Sequence, residues 1–218
     1  MKRVNRSFTS PIEEKILQTI VPLVPQQISP DTLTYAAVLS SLIGGIFYIF
    51  YGHYSFVLLG VNFMLFVNWL TDSTDGKVAM YRKISRPKYG FYIDHLFDSI
   101  SVVFLIGGLI LSNTTLTPSW LFALALMLIV NINAYLKVYV FNVFSLSLSR
   151  VSPTDARIVL VMVNLLIFII GNKIITLFGN RFTLFDLIGF IFVIGTLILL
   201  IPDIVKTARI LKMKENKK

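Results

Sequence analysis

The sequence predicts an all-α fold, an integral membrane bundle of six transmembrane helices preceded by an amphipathic helix at the membrane interface. Hydrophobic residues make up 56% of the 218 residues and charged residues only 14%, about half the charged share of soluble domains. The mean hydropathy is +0.78. Uncharged apolar runs long enough to cross a bilayer as helices recur along the chain. We therefore interpret residues 1–218 as a single membrane-embedded domain.

The first predicted element is the interfacial helix, at residues 10–25. Ser10, Pro11 and Glu13 are typical of a helix start, because serine caps, proline suits the first turn and the glutamate completes a capping box. An apolar stripe follows, made of Ile12, Ile16, Leu17, Ile20 and Val24. A helix lying on the membrane is one interpretation. A helix packed on the bundle is the other.

Six transmembrane spans follow from the apolar runs. They are predicted at about residues 33–51, 54–71, 91–111, 120–141, 158–178 and 184–201. Ser29, Pro30 and Asp31 give the first span a helix start. Lys173 falls near the far end of the fifth span, where a long side chain can reach the interface.

The net charge of +9 predicts the orientation of the bundle. Lys and Arg concentrate in the N-terminus, the loops at 72–90 and 142–157, and the C-terminal tail. Because cytoplasmic loops carry an excess of Lys and Arg, both termini and the 72–90 loop are predicted to be cytoplasmic. These basic residues suit membrane lipid headgroups, and we expect no nucleic-acid partner. The chain has no cysteine, which excludes disulfides and thiolate sites.

Four aspartates lie between the second and third predicted spans. Asp72 and Asp75 are three residues apart and Asp94 and Asp98 four, so each pair would point one way on a helix. Two neighbouring antiparallel helices would bring both pairs together at the membrane edge. Clustered carboxylates repel one another and resist desolvation there, and hard oxygen ligands suit Mg²⁺, Mn²⁺ or Ca²⁺. The pattern therefore predicts a divalent-metal site on the cytoplasmic side.

Basic residues surround the four acids, namely Lys77, Arg82, Lys83, Arg86 and Lys88. Divalent cations held by carboxylates and surrounded by Lys and Arg suit a phosphate or diphosphate substrate. The alternative is that the acids are solvated helix ends balanced by these bases.

The spacing of this stretch resembles a family pattern. The CDP-alcohol phosphotransferases carry D-x2-D-G-x2-A-R-x8-G-x3-D-x3-D. This chain has all four aspartates, together with Gly76, Ala79 and Gly90. Six spans with the motif between the second and third also resemble the core of the family. That likeness covers nearly the whole chain.

The chain departs from the family pattern at two points. Met80 stands where the family has arginine, and nine residues rather than eight precede Gly90. Arg82 could replace the arginine if the helix end unwinds. Lys77 or Arg86 could supply the charge instead.

The resemblance implies a transferase of phospholipid biosynthesis that depends on two divalent metal ions, Mg or Mn. The donor would be a CDP-linked alcohol, either CDP-diacylglycerol or a CDP-amino alcohol. An acceptor hydroxyl attacks the β-phosphorus and CMP leaves. The metal ligands would be Asp72, Asp75, Asp94 and Asp98, with Asp98 also a candidate catalytic base. The nucleotide site would include Gly76, Ala79, Gly90, Lys77, Arg82 and Thr34.

His95 suggests a branch of the family. The run Asp94-His95-x2-Asp98-Ser99 is similar to that of the choline/ethanolamine phosphotransferases, in which the histidine is a candidate base. The Thr154-Asp155 pair is similar to a Thr-Glu pair that orients this histidine. Alternatively, His95 is a helix-end residue that bonds a phosphate or a carbonyl.

Ala37 suggests the class of acceptor. Pro30-Asp31-x2-Thr34 resembles the start of the family's first span, and branches with a phosphorylated acceptor place an arginine three residues later. Ala37 stands there and favours a neutral acceptor, either a diacylglycerol-like lipid or a small alcohol. Dimers are common among relatives, so a homodimer is possible.

Two other functions compete with this interpretation. UbiA-type prenyl diphosphate transferases also use DxxD clusters, but their motif wants a third acid at Ala79 and they have more spans. A cation transporter would use the acids as an ion path. The confinement of the acids to one membrane face argues against a transporter.

Overall fold

The computed structural model describes residues 2–3, 9–141, 143–144 and 152–216. Its helices are α1 (Ser10–Ile20), α2 (Pro30–Phe50), α3 (Val57–Tyr81), α4 (Pro87–Leu111), α5 (Ser119–Phe141), α6 (Pro153–Ile170) and α7 (Leu184–Glu215). A 3-10 turn, Val21–Leu23, follows α1. Strand β1 (Lys2–Arg3) runs parallel to β2 (Val143–Phe144), and β3 (Ile174–Leu177) pairs antiparallel with β4 (Asn180–Thr183).

The predicted all-α class is confirmed. Within the described residues, five helices are long and apolar enough to cross a membrane: α2, α4, α5, α6 and α7. Helix α3 is less apolar, because Asn62, Asn68 and the first two aspartates of the acidic stretch lie along it. It is nevertheless 25 residues long, about 37 Å at the helical rise per residue.

The fifth span predicted at 158–178 is wrong at both ends. Helix α6 starts earlier because Ser152 forms a reciprocal capping box with Asp155. It ends earlier because Gly171 adopts a positive φ of 80°, which favours glycine. The residues that follow are rich in β-branched side chains, and they form the β3–β4 hairpin instead of continuing the helix.

The predicted helix at 10–25 is shorter in the structure. Helix α1 ends at Ile20, and the chain continues through the 3-10 turn. The N-cap residue is Thr9, and it makes no side-chain capping bond. The capping box predicted from Ser10 and Glu13 is therefore wrong, and the Glu13 side chain contacts other helices.

Helices α2 and α4 touch through their backbones. A Cβ added to Gly108 would lie 2.1 Å from the Gly45 carbonyl oxygen, and one added to Gly45 would lie 2.2 Å from that of Phe104. Only glycine permits this separation. Because α3 also packs on α2, the close crossing sets the positions of the two helices that carry the acids.

Buried polar bonds tie the other helices to this core. The amide of fully buried Asn164 on α6 accepts from the Tyr48 hydroxyl (2.9 Å) and donates to Asn62 (2.8 Å). Buried Asp186, at the start of α7, accepts from the backbone N–H groups of Leu116 and Thr117. These bonds fix α6 against α2 and α3, and they fix the α4–α5 turn against α7.

Candidate active site

The acidic cluster lies where α3 ends and α4 begins. Asp72 and Asp75 occupy the last turns of α3, and Asp94 and Asp98 occupy the first turns of α4. The carboxyl groups of Asp72 and Asp98 are in contact. Ligand atoms of Asp94, His95 and Asp98 all lie within 4.8 Å of one another. The antiparallel helices thus bring acids of both pairs to one place.

The donor set of this cluster fits a divalent cation. It offers carboxylate oxygens from two helices and one imidazole, which are ligands that Mg²⁺ and Mn²⁺ accept. The side chains of Asp94 and Asp98 are 27% and 24% exposed, so they are open to a ligand from solution. Asp94, His95 and Asp98 form a group that could hold a metal ion.

Asp75 is buried and held by hydrogen bonds. The Thr34 hydroxyl on α2 donates to its Oδ2 atom at 2.6 Å, and the backbone N–H of Gly76 donates to Oδ1. Thr34 thus contacts an acid of the motif, although the sequence suggested that it binds the donor. The contact fixes the orientation of the Asp75 carboxylate against α2.

His95 is enclosed by aromatic rings. It is 5% exposed, stacks on Tyr135 with a centroid distance of 5.6 Å, and meets Phe91 edge to face. Its Nδ1 atom lies 3.4 Å from Asp94 Oδ2 and 3.7 Å from Asp98 Oδ2. The imidazole is therefore held in one plane beside both acids of α4.

Arg157 is a site residue that the sequence reasoning missed. It lies in the first turns of α6, and its guanidinium donates to Asp72 Oδ2 at 2.8 Å. It also lies close enough to Asp98 for their charges to interact. In the sequence it stands at the end of the basic 142–157 loop, directly before an apolar run, so nothing local distinguished it from the other Lys and Arg residues of the loops.

Two of the basic residues expected around the donor, Arg82 and Arg86, have partners within the chain. Arg82 donates to the carbonyl oxygens of Ile28 (2.6 Å), Val24 (2.9 Å) and Pro25 (2.8 Å). It therefore holds the α1–α2 connection in place. Lys77 lines a shallow cavity beside α1.

Arg86 precedes α4 and is exposed. It pairs with Asp31 on α2 at 2.5 Å, and its guanidinium lies 4.3 Å from the Tyr89 ring centroid. The hydrogen bond to Asp31 raises the pKa of Arg86, so the group stays charged. Met80, in place of the motif arginine, is 63% exposed.

The motif glycines have open space beside them. A Cβ added to Gly76 or Gly90 would meet none of the described residues within 4 Å. Neither glycine is needed for packing among those residues, which agrees with a role in leaving room for a ligand. Ala79 is half-buried near the end of α3.

The expected orientation of His95 by Thr154 and Asp155 is wrong. Asp155 caps α6 through Ser152 and accepts from the Thr9 hydroxyl at 2.9 Å. Thr154 donates to Glu13. Both side chains bond toward α1, because the half-buried first turn of α6 uses them for capping and interhelical bonds.

A cavity of about 220 Å³ opens beside Asp98 and Arg157. Its polar side chains include Asn68, Ser101 and Asn131. Its other lining is mostly apolar and comes from α3 to α7, including Leu65, Leu105, Trp120, Val163, Ile188 and Phe192. The cavity thus joins the acidic cluster to the apolar interior of the bundle.

Comparison with protein families gives a match. The model described as CDP-alcohol phosphatidyltransferase matches residues 27–202. This range includes all four aspartates, His95 and Arg157. Comparison with curated proteins finds no match.

Proposed function

Because the chain belongs to the CDP-alcohol phosphatidyltransferase family, we propose that it transfers a substituted phosphate from a CDP-amino alcohol to a neutral, diacylglycerol-like acceptor and releases CMP. Family membership makes it a transferase of substituted phosphate groups in phospholipid synthesis. The observation that carries the proposal is the acidic cluster at the α3–α4 junction. The match favours this reaction over prenyl diphosphate transfer and cation transport.

Asp72, Asp75, Asp94 and Asp98 hold two divalent ions, Mg²⁺ or Mn²⁺, in this proposal. When bound, these ions neutralise the diphosphate of the donor and stabilise the departing CMP. The buried contact with Thr34 holds the Asp75 carboxylate in one orientation against α2. Carboxylates fixed in this way reorganise little during the reaction, which favours catalysis.

His95 is the proposed base that accepts the hydroxyl proton, and Asp98 is the alternative. The acceptor hydroxyl attacks the β-phosphorus, a new O–P bond forms, and the bond to the CMP oxygen breaks. The hydroxyl proton passes to the imidazole, whose ordinary pKa suits a general base. The position of His95 beside Asp94 and Asp98 supports this role, since both carboxylates stabilise the protonated ring. This arrangement favours the choline/ethanolamine branch.

The cavity supports a neutral, partly apolar acceptor. Its polar end lies at Asp98 and Arg157, and Ser152 and Val163 both line it. Those two residues are eleven positions apart, about 16 Å along a helix, which is about half the hydrocarbon thickness of a bilayer. Ala37 lies on the face of α2 that is buried against α3. Its methyl side chain offers no cation to a phosphorylated acceptor.

The proposal includes a sixth span and an interfacial α1. Helix α3 crosses the membrane despite its polar residues, which face the bundle, as buried Asn68 does. Helix α1 buries Leu17 completely and leaves Ile12 66% exposed, which suits a helix lying on the membrane surface. Both termini and the acidic cluster then face the cytoplasm. A homodimer completes the proposal, by analogy with relatives.

The experiment is a donor screen with the purified protein in lipid vesicles. CDP-choline, CDP-ethanolamine and CDP-diacylglycerol are each offered with diacylglycerol or a small alcohol, with and without Mn²⁺, and CMP release is measured. We expect Mn²⁺-dependent CMP release from a CDP-amino alcohol with diacylglycerol. CDP-diacylglycerol as the preferred donor would overturn the substrate assignment.

Two variants test the site within the same screen. Asp98→Asn should reduce CMP release by about 100-fold or more, because it removes a ligand and a proton acceptor. Glu215→Gln makes the same carboxylate-to-amide change at an exposed position on α7, and it should leave CMP release unchanged. Near-normal turnover of the Asp98 variant, or ion flux without any CMP release, would contradict the proposal.

A further inference from the structure

Glu13 on α1 bonds two other helices at once. Its Oε1 atom accepts from the Ser73 hydroxyl on α3 at 2.9 Å. Its Oε2 atom accepts from the Thr154 hydroxyl on α6 at 3.2 Å. The carboxylate therefore spans the gap between α3 and α6, which meet on the side of the bundle that carries the acidic cluster.

Other contacts of α1 hold the helix in one orientation, which makes the contact of Glu13 with α3 and α6 specific. Leu17, one turn after Glu13, is fully buried, and Thr9 bonds Asp155 at the start of α6. Glu14, the next residue, is exposed. Only one of two adjacent glutamates therefore faces the bundle, which separates a specific contact from the general charge of the helix.

Both hydroxyls that Glu13 holds adjoin groups of the acidic cluster. Ser73 directly follows Asp72 in the chain, and Thr154 precedes Arg157 by three residues, on the same face of α6. Arg157 meets Asp72 at 2.8 Å. The Glu13 charge also acts on Arg157. A shift of α3 against α6 would therefore change the distance between Arg157 and Asp72.

We propose that Glu13 is a positioning residue, which keeps α3 and α6 in the register that aligns Asp72 and Arg157 for catalysis. This inference rests on the proposed function, because it assigns Asp72 to the metal site. Glu13 touches neither substrate nor reacting atoms. It acts through the placement of Asp72 and Arg157, and a helix at the membrane surface thereby becomes part of the catalytic structure.

The test compares Glu13→Ala with Glu14→Ala in the full-length protein. Loss of both bonds should lower the turnover number about 10- to 100-fold, since misplacement by about 1 Å has costs of that size. Direct Mn²⁺ binding, followed by electron paramagnetic resonance, should weaken about 3- to 10-fold because Asp72 is less well placed. Glu14→Ala should match the parent protein in both measurements.

Glu13→Gln separates the bonds from the charge. The glutamine amide can accept from one hydroxyl and donate to the other, so we expect recovery to within about threefold of the parent turnover. The pair Ser73→Ala with Thr154→Val should reproduce the loss seen in Glu13→Ala. Adding Glu13→Ala to that pair should cause no further loss, because the bonds are already absent.

Parent-like turnover and Mn²⁺ binding in Glu13→Ala would overturn the inference. So would an equal loss in Glu14→Ala. If Glu13→Ala fails to fold, Glu13→Gln and the hydroxyl pair supply the same comparison. If the parent protein releases no CMP from any donor, the proposed function fails, and the Mn²⁺ measurements still test whether Glu13 positions Asp72.

Discussion

His95 combines burial with two neighbouring carboxylates, a combination that suits a base more than a surface ligand. We predict that His95→Gln lowers CMP release about 100-fold, the usual contribution of a general base, and changes Mn²⁺ affinity by less than about threefold. The control is His53→Gln, because the other histidine of the chain is exposed in the α2–α3 turn.

The two measurements on His95 separate three roles. A small loss of turnover in His95→Gln would indicate that His95 is a helix-end residue that bonds a phosphate or a carbonyl. A loss of Mn²⁺ binding equal to the loss of turnover would make it a metal ligand. Each result would contradict its assignment as the base.

Arg82 is predicted to support stability and not nucleotide binding. Arg82→Ala removes three hydrogen bonds to the α1–α2 connection, so we expect a loss of about 1.5–3 kcal/mol in unfolding free energy. Thermal unfolding in detergent measures it, with exposed Lys88→Ala as the matched control. An increase in KM for the donor without loss of stability would instead place Arg82 at the nucleotide.

Some residues of the site could be predicted from the sequence and others could not. The spacing of four aspartates predicts their positions on two helices, because i,i+3 and i,i+4 separations have a fixed geometry. The partners of Arg82, Arg157 and Glu13 could not be predicted. Each depends on which helices become neighbours, and residues up to 141 positions apart form these bonds.

At the element scale, the crossing of α2 and α4 leaves no room for a side chain at Gly45 or Gly108. Gly108→Ala would place a methyl group 2.1 Å from the Gly45 carbonyl oxygen. The helices must separate, and we predict a loss of about 1–3 kcal/mol in unfolding free energy. Gly107→Ala is the matched control, because a Cβ there meets no atom of the part of the chain that the structure describes within 4 Å. Equal melting temperatures for the two variants would contradict the crossing.

Two helix starts depend on local sequence alone. Ser29 caps α2 and Thr183 caps α7 through bonds within a few residues, so local sequence is sufficient there. The end of α6 depends on Gly171 and on the pairing of β3 with β4. Apolar β-branched residues suit both a span and a strand, and hydropathy does not distinguish the two.

At the scale of the whole molecule, the topology depends on whether α3 crosses the membrane. The chain has no cysteine, so single Ser→Cys variants report on one position each. Ser55 and Ser85 are exposed at opposite ends of α3. We predict that a membrane-impermeant maleimide labels Ser55→Cys from outside intact cells, and labels Ser85→Cys only after the membrane is permeabilised.

Labelling of both variants from the same side would mean that α3 does not cross. Labelling of Ser85→Cys alone from outside would reverse the orientation. The membrane class itself followed from composition, because a chain with so few charges cannot cover a soluble surface. The orientation depends on an asymmetry of Lys and Arg, which the fold of a single chain does not test.

The bonds of α1 impose an order on biosynthesis. Helix α1 leaves the ribosome before α6, yet Thr154 is 141 residues after its partner Glu13 and Asp155 is 146 residues after Thr9. Until α6 has been translated and inserted, the start of α1 has only part of its final surroundings. A chain that stops after α5 would carry every aspartate of the motif without Arg157, and its acidic cluster would be assembled but incomplete.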